Sequence, residues 1–154
     1  MARTWVDSVQ YDHQGRTVGI QFGNGVRKEY SYDAQTDWMT RVVACAPAFG
    51  GPSCSGSSKV YQDLALTHSP AGDILTSTTR ATVSGLLTGQ VWGFGYDKRH
   101  RLVSSFLTGA NPSGGALTWQ EGWTFDALHR LTSRTTTKST DTGVETRAEQ
   151  FTFS

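Results

Sequence analysis

Residues 96 to 105 read YDKRHRLVSS, a set of side chains that could do chemistry. A carboxylate (Asp97), an imidazole (His100) and three bases (Lys98, Arg99, Arg101) stand beside a phenol (Tyr96). Such a group could work as an acid–base pair or as a cradle for phosphate. Residues 125 to 134, FDALHRLTSR, repeat the aromatic, the Asp, the His-Arg-Leu and a serine at the same offsets. A cluster that recurs along one chain reads as architecture, and its chemistry is that of a turn.

The other candidates reduce in the same way. His13, His68, His100 and His129 all fall inside copies of this pattern, with no nucleophile or orienting partner at a characteristic spacing. Gly93 and Gly95 in GFGYD alternate with Trp92, Phe94 and Tyr96, unlike a phosphate loop that leads into a helix, and read as close-packing positions on the opposite face. Lys98, Arg99, Arg101, Arg130 and Arg134 read as a solvated hairpin edge. Cys45 and Cys54 lack the paired CxxC spacing of a zinc site; eight residues between them fit either a disulfide or two free thiols. No catalytic residue, cofactor or metal site is expected.

The elements that position these residues follow from composition and period. With 154 residues, 36% hydrophobic and 11% aromatic, the chain suits one domain with a modest core. A net charge of +1 and 18% charged residues give no basic stripe, so nucleic acid is not an expected partner. The start, MARTWVDSVQYDHQG, has no signal-peptide h-region, and no apolar run is long enough to span a bilayer as a helix. No stretch keeps a helical period, whereas short alternating segments recur between Gly- and Pro-rich punctuation, so the expectation is all-β.

Anchors recur at Tyr11-Asp12, Tyr32-Asp33, His68-Ser69, Tyr96-Asp97, Phe125-Asp126 and Phe153-Ser154, 21 to 36 residues apart, which marks a repeat. An apolar residue stands two positions before each anchor (Val9, Tyr30, Leu66, Phe94, Trp123, Phe151), so each anchor ends a strand with one apolar face. The Asp, or Ser69, then starts a tight turn, and three residues later Gly15, Gly72, His100 and His129 occupy the left-handed position of a type I turn with a G1 bulge. In YDAQTD the turn is one residue longer and Asp37 takes that place. Val18, Met39, Ile74, Leu102 and Leu131 begin the return strands. FGNGV (22–26), VSGLLTG (83–89), ANPSGG (110–115) and STDTGV (139–144) mark outer connections, and residues 44–59 are expected to be a mobile, dispensable loop insertion. The whole of 1–154 is one repeat region, an antiparallel meander of about ten to twelve strands.

This pattern, aromatic-Asp-x-x-Gly-Arg-Leu with an interposed GNGV, resembles the YD repeat of Rhs proteins, of the C components of insecticidal Tc toxins and of teneurins. The resemblance runs from Tyr11 to the end. It implies a strip of hairpins forming a curved sheet, part of a β-shell that encloses another polypeptide, commonly a toxin domain at the C-terminus of the same chain. The implied partners are neighbouring YD repeats or an encapsulated client, within a larger exported protein, secreted or at the cell surface. The chain lacks the DPxG-type core motif and stops inside its sixth anchor, so the expectation is a segment of wall whose terminal strands associate edge to edge. Trp38 stands where the family usually carries an arginine. It is expected to be the most exposed of Trp5, Trp38, Trp92, Trp119 and Trp123, and the candidate glycan contact of the alternative function, a carbohydrate or cell-surface binding module.

Overall fold

The computed structural model of the chain describes residues 4–47, 53–55, 59–80, 89–110, 116–140 and 143–153. Among these residues every regular element is a strand, as expected of short β-branched and aromatic runs broken by Gly, Asp and Ser. The strands are β1 (Val6–Tyr11), β2 (Thr17–Phe22), β3 (Arg27–Tyr32), β4 (Met39–Ala46), β5 (Lys59–His68), β6 (Ile74–Thr79), β7 (Val91–Tyr96), β8 (Leu102–Ala110), β9 (Ala116–Phe125), β10 (Leu131–Thr140) and β11 (Gly143–Gln150). They form one sheet in chain order, each hydrogen-bonded to its neighbour in sequence. Such a meander needs hairpins only and no crossover.

Five odd-numbered strands, β1 to β9, end on the anchors Tyr11, Tyr32, His68, Tyr96 and Phe125. The register shifts by one residue beside the anchor, between Gln10 and Tyr11, Ser31 and Tyr32, and Gly95 and Tyr96, and between Leu131 and Ser133 opposite Phe125. That is the bulge a left-handed residue makes when it closes the turn. Phe151 and Phe153 differ from expectation: β11 ends at Gln150, and both lie beyond it, although the Phe151 amide still donates to the Thr132 carbonyl at 2.9 Å. Of the outer connections, 22–26 is fully described. There Gly25 has φ +83° and its amide donates to the Phe22 carbonyl at 2.9 Å. The others fall wholly or partly outside the described residues.

The chain divides into two compact units. The first is built on β1 to β4 and β5 as far as Leu66, the second on the end of β5, β6 to Thr78, and β7 to β11. In the first unit the expected loop over 44–59 is corrected at both ends. The ladder carries β4 through Ala46, with Cys45 in register between Arg27 and Val60, and β5 opens at Lys59. Cys45 and Cys54 are joined by a disulfide, and with Val43 and Val60 they form the buried cluster of this unit. Two charged residues are buried beside it, each paired as burial demands. Arg27 Nε donates to Glu29 at 2.9 Å and its Nη2 to Gln10 at 2.6 Å, while Asp63 takes a two-pronged bond from Arg41 at 2.8 and 2.7 Å.

In the second unit the two faces differ in kind. The register rows Trp92–Leu107–Trp119–Lys138–Glu145 and Ser105–Glu121–Thr136–Arg147 share one face. With Arg134 and Glu149, which pair in register, this face carries every charged residue of β6 to β11. The rows Gly93–Phe106–Gln120–Thr137–Thr146 and Gly95–Ser104–Gly122–Thr135–Ala148 form the other face, which has hydroxyls, amides and glycines, the exposed Phe106 and Val144, and no charge. Gly93 and Gly95 make room on it: a Cβ on Gly93 would stand 2.1 Å from the Phe106 ring, and one on Gly95 2.3 Å from the Ser104 hydroxyl. Gly93→Ala is therefore expected to lower stability by about 1–3 kcal/mol, the usual cost of overpacking. Urea unfolding checks this, and the loss should shrink in a Phe106→Ala background; equal losses in both backgrounds would clear the ring of responsibility.

Candidate functional site

The residues singled out by the repeat form five turns, and three of them are built the same way. In the first, Asp12 Oδ1 accepts from the Gln14 and Arg16 amides, both at 2.9 Å, while Oδ2 accepts from Arg16 Nε at 2.6 Å. Asp97 repeats this with Arg99 N (2.8 Å), Arg101 N (3.1 Å) and Arg101 Nε (2.7 Å). Asp126 does so with Leu128 N (2.8 Å), Arg130 N (2.9 Å) and Arg130 Nε (2.7 Å). Asp33 accepts from Gln35 N, Thr36 N and Thr36 Oγ1 instead, and Ser69 Oγ substitutes by accepting from Ala71 N and Asp73 N, both at 3.2 Å.

The residue that closes each turn has positive φ: Gly15 +80°, Asp37 +61°, Gly72 +93°, His100 +58° and His129 +66°. Asp37, His100 and His129 are the described non-glycine residues in that region, which His and Asp tolerate better than most side chains. Each closing amide donates to the carbonyl of the residue that opens its turn, at 3.0 to 3.1 Å.

The structure adds a second layer, contacts from one turn to the next. Arg16 lies over the Tyr32 ring (4.5 Å to the centroid) and bonds Asp37, the left-handed residue of the following turn, at 2.5 Å. Arg101 lies over Phe125 at 4.7 Å and Arg130 over Phe153 at 4.8 Å. The His100 Nδ1 faces the Asp73 carboxylate of the preceding turn at 2.9 Å. His129 Nε2 meets Arg99 Nη1 at 3.0 Å, and because a guanidinium only donates, this ring nitrogen is the acceptor. The position four residues after the turn-opening residue (Arg16, Asp73, Arg101, Arg130) was missed as a functional position; the recurring Asp-to-Arg interval in the sequence is the signal that marks it. The expected solvated basic edge is corrected accordingly: Arg101 and Arg130 stack and pair, and Arg134 pairs with Glu121.

These contacts set the electrostatics. The Arg101 side-chain hydrogen bond, against the opposing effect of burial and helped by the Arg101 and Arg99 amides, holds Asp97 down at about 2. The amide and side chain of Arg130 lower Asp126, and the amide and hydroxyl of Thr36 lower Asp33. For Asp12 burial pushes upward, but the Arg16 and Gln14 bonds outweigh it and the carboxyl is lowered. Burial, then the Asp73 charge, pushes the Tyr96 phenol up. Carboxylates engaged this way hold loops closed, and none stands free to take a proton from a substrate. Among the described residues no group of three or more His, Cys, Asp or Glu is placed to hold a metal ion.

Trp38, expected to be the most exposed tryptophan, is half-buried, and its carbonyl accepts from the Asp33 amide at 2.8 Å. Trp5 is the exposed indole, at 84%.

No protein-family model matches the chain. It is 32% identical over 104 residues to the toxin subunit YenC1 of Yersinia entomophaga, an alignment that takes in 65% of this chain and 10% of that protein. Its fold is similar to the crystal structure of TcdB2-TccC3-Cdc42, with a TM-score of 0.69 and 18% identity over 94% of this chain and 7% of the other. The crystal structure of TcdB2-TccC3-TEV gives a TM-score of 0.72 and 20% identity over 96% and 7%. The chain thus spans about a tenth or less of the length of the proteins it matches, and at these structural identities the likeness is one of fold.

Two outcomes are expected of the turns. A carboxyl held below its ordinary value contributes stability that is fully present above about pH 4 and is lost as pH falls toward 2. Asp97→Asn should be less stable than the parent at pH 7, with a shallower loss between pH 4 and 2; denaturant melts across that range check it. His129→Gly should leave stability within about 0.5 kcal/mol of the parent, since an exposed contact to Arg99 contributes little. His129→Val should cost about 1–2 kcal/mol, because a β-branched residue fits φ > 0 poorly. Thermal melts decide it, and equal losses for Gly and Val would assign the imidazole a role beyond the turn.

Proposed function

We propose, from the relationship of this chain to the Rhs/YD-repeat subunits of Tc toxins, that it is a segment of β-shell wall that screens a toxin or other client polypeptide from solvent and proteases, without enzymatic activity of its own. The observation that carries this reading is the chain-order sheet, in which hairpins within each unit are tied turn to turn. Strands paired in this way offer an extended peptide no free edge to enter between them, and the 32% identity to a toxin subunit supports a toxin context.

The unequal faces of the second unit support the same reading. A client of arbitrary sequence is best met by a surface with neither fixed charge nor broad apolar area, so that it is neither gripped nor repelled. The Gly, Ser, Thr and Gln face has that character. The opposite face carries the charges, with Lys138 paired to Glu145 and Arg147 to Glu149, both at 2.8 Å, beside Trp92, Leu107 and Trp119. The proposed partners are neighbouring YD repeats and the client, within an exported protein.

The test is an exchange. This chain replaces the matching segment of the toxin subunit YenC1, and the C-terminal part of the chimaera is probed with protease. Cleavage no faster than in the parent is expected, and exposure of that part in a chimaera that still folds would overturn the reading.

A further inference from the structure

The two sulfurs of the Cys45–Cys54 disulfide stand in unequal surroundings. Cys45 lies within β4, in register between Arg27 and Val60, and is 0% exposed. Cys54 is 7% exposed, its Sγ is 3.8 Å from the Arg27 carbonyl oxygen, and it lines an open cavity of about 350 Å³ with Glu29, Arg41, Val43, Ser55, Val60 and Asp63. The charges around that cavity are paired, Arg41 with Asp63 at 2.7 Å and Glu29 with Arg27 at 2.9 Å. Cys54 thus borders open space that Cys45 does not, and no unpaired charge guards it.

We propose that Cys54 is a modification site for low-molecular-weight thiols, through which the strap at Ser53–Ser55 is released from the sheet. Exchange runs through the thiolate. An incoming thiolate attacks Cys54 Sγ, a new S–S bond forms between the small thiol and Cys54, and the Cys45–Cys54 bond breaks. Cys45 leaves with the electron pair and takes a proton from water. A second small thiolate then attacks the sulfur of the first, expelling Cys54 as a thiolate and forming the small-molecule disulfide. Two small thiols thereby supply the two electrons that reduce the protein's bond. The order is fixed by access: Cys54 receives the adduct and Cys45 is the leaving group. With the tie gone, Val43 and the buried Arg27 lose their covalently held cover.

The test uses the oxidised chain, without denaturant, at neutral pH and over a range of glutathione concentrations. Freed thiols are alkylated at intervals, peptides are mapped by mass spectrometry, and circular dichroism confirms that the strands persist. The expected result is glutathione on Cys54 and the alkyl group on Cys45, at a rate proportional to glutathione. A protein dithiol, too large for the cavity, should react at least tenfold more slowly at equal thiolate concentration. Glutathione on Cys45, a rate independent of thiol concentration, no adduct in the folded chain, or equal rates for the two reductants would each overturn the proposal.

Discussion

A carboxylate that accepts two backbone amides and an arginine within four residues is the interaction on which the rest of this structure depends. Asp12, Asp97 and Asp126 each fix a reversal by this means, and the residue that closes the reversal must take positive φ. Once the turn is fixed, the register of its hairpin is fixed with it, and the one-residue bulge beside the anchor decides which side chains share a face. The arginine that completes the turn then extends beyond it. Arg16, Arg101 and Arg130 spend their planar faces on the aromatic of the next anchor, so a local motif becomes a contact between successive hairpins.

This arrangement suits a sheet that has little core. Among the described residues the buried apolar side chains are few, and Cys45 alone is fully enclosed. Stability must come from ladder hydrogen bonds, cross-strand pairs and the turn contacts, each modest and repeated many times. A repeat protein tolerates this because each hairpin draws on its neighbours. The first unit departs from the pattern by adding a covalent tie and, beside it, two ion pairs that each have one buried member, which gives that part of the sheet a small conventional core.

The two faces of the second unit show how a thin sheet can carry two characters at once. Alternation along each strand sends Glu121, Arg134, Lys138, Glu145, Arg147 and Glu149 to one side and Gly, Ser, Thr and Gln to the other. Glycine permits the second surface to close up: the Phe106 ring can sit over Gly93 only because no Cβ stands there.

By itself the sequence determined the all-β class, the hairpin order and the places of the turns, because a turn is closed by contacts among five consecutive residues and the alternation of a strand is written in its own side chains. Tyr11, Tyr32, Tyr96 and Phe125 could be read as strand ends for that reason, and Gly93 and Gly95 as positions of close approach. Only the tertiary structure decided what depends on a partner strand. Cys45 belongs to β4 because Arg27 and Val60 lie beside it, and a ladder partner 18 residues away leaves no mark on the local composition of a Cys- and Pro-bearing stretch. Whether the two cysteines were joined, whether Trp38 was covered, and that His100 would meet Asp73 and Arg16 would meet Asp37 likewise rest on residues brought together from separate turns. Those distances are set by strand register, which no single segment contains.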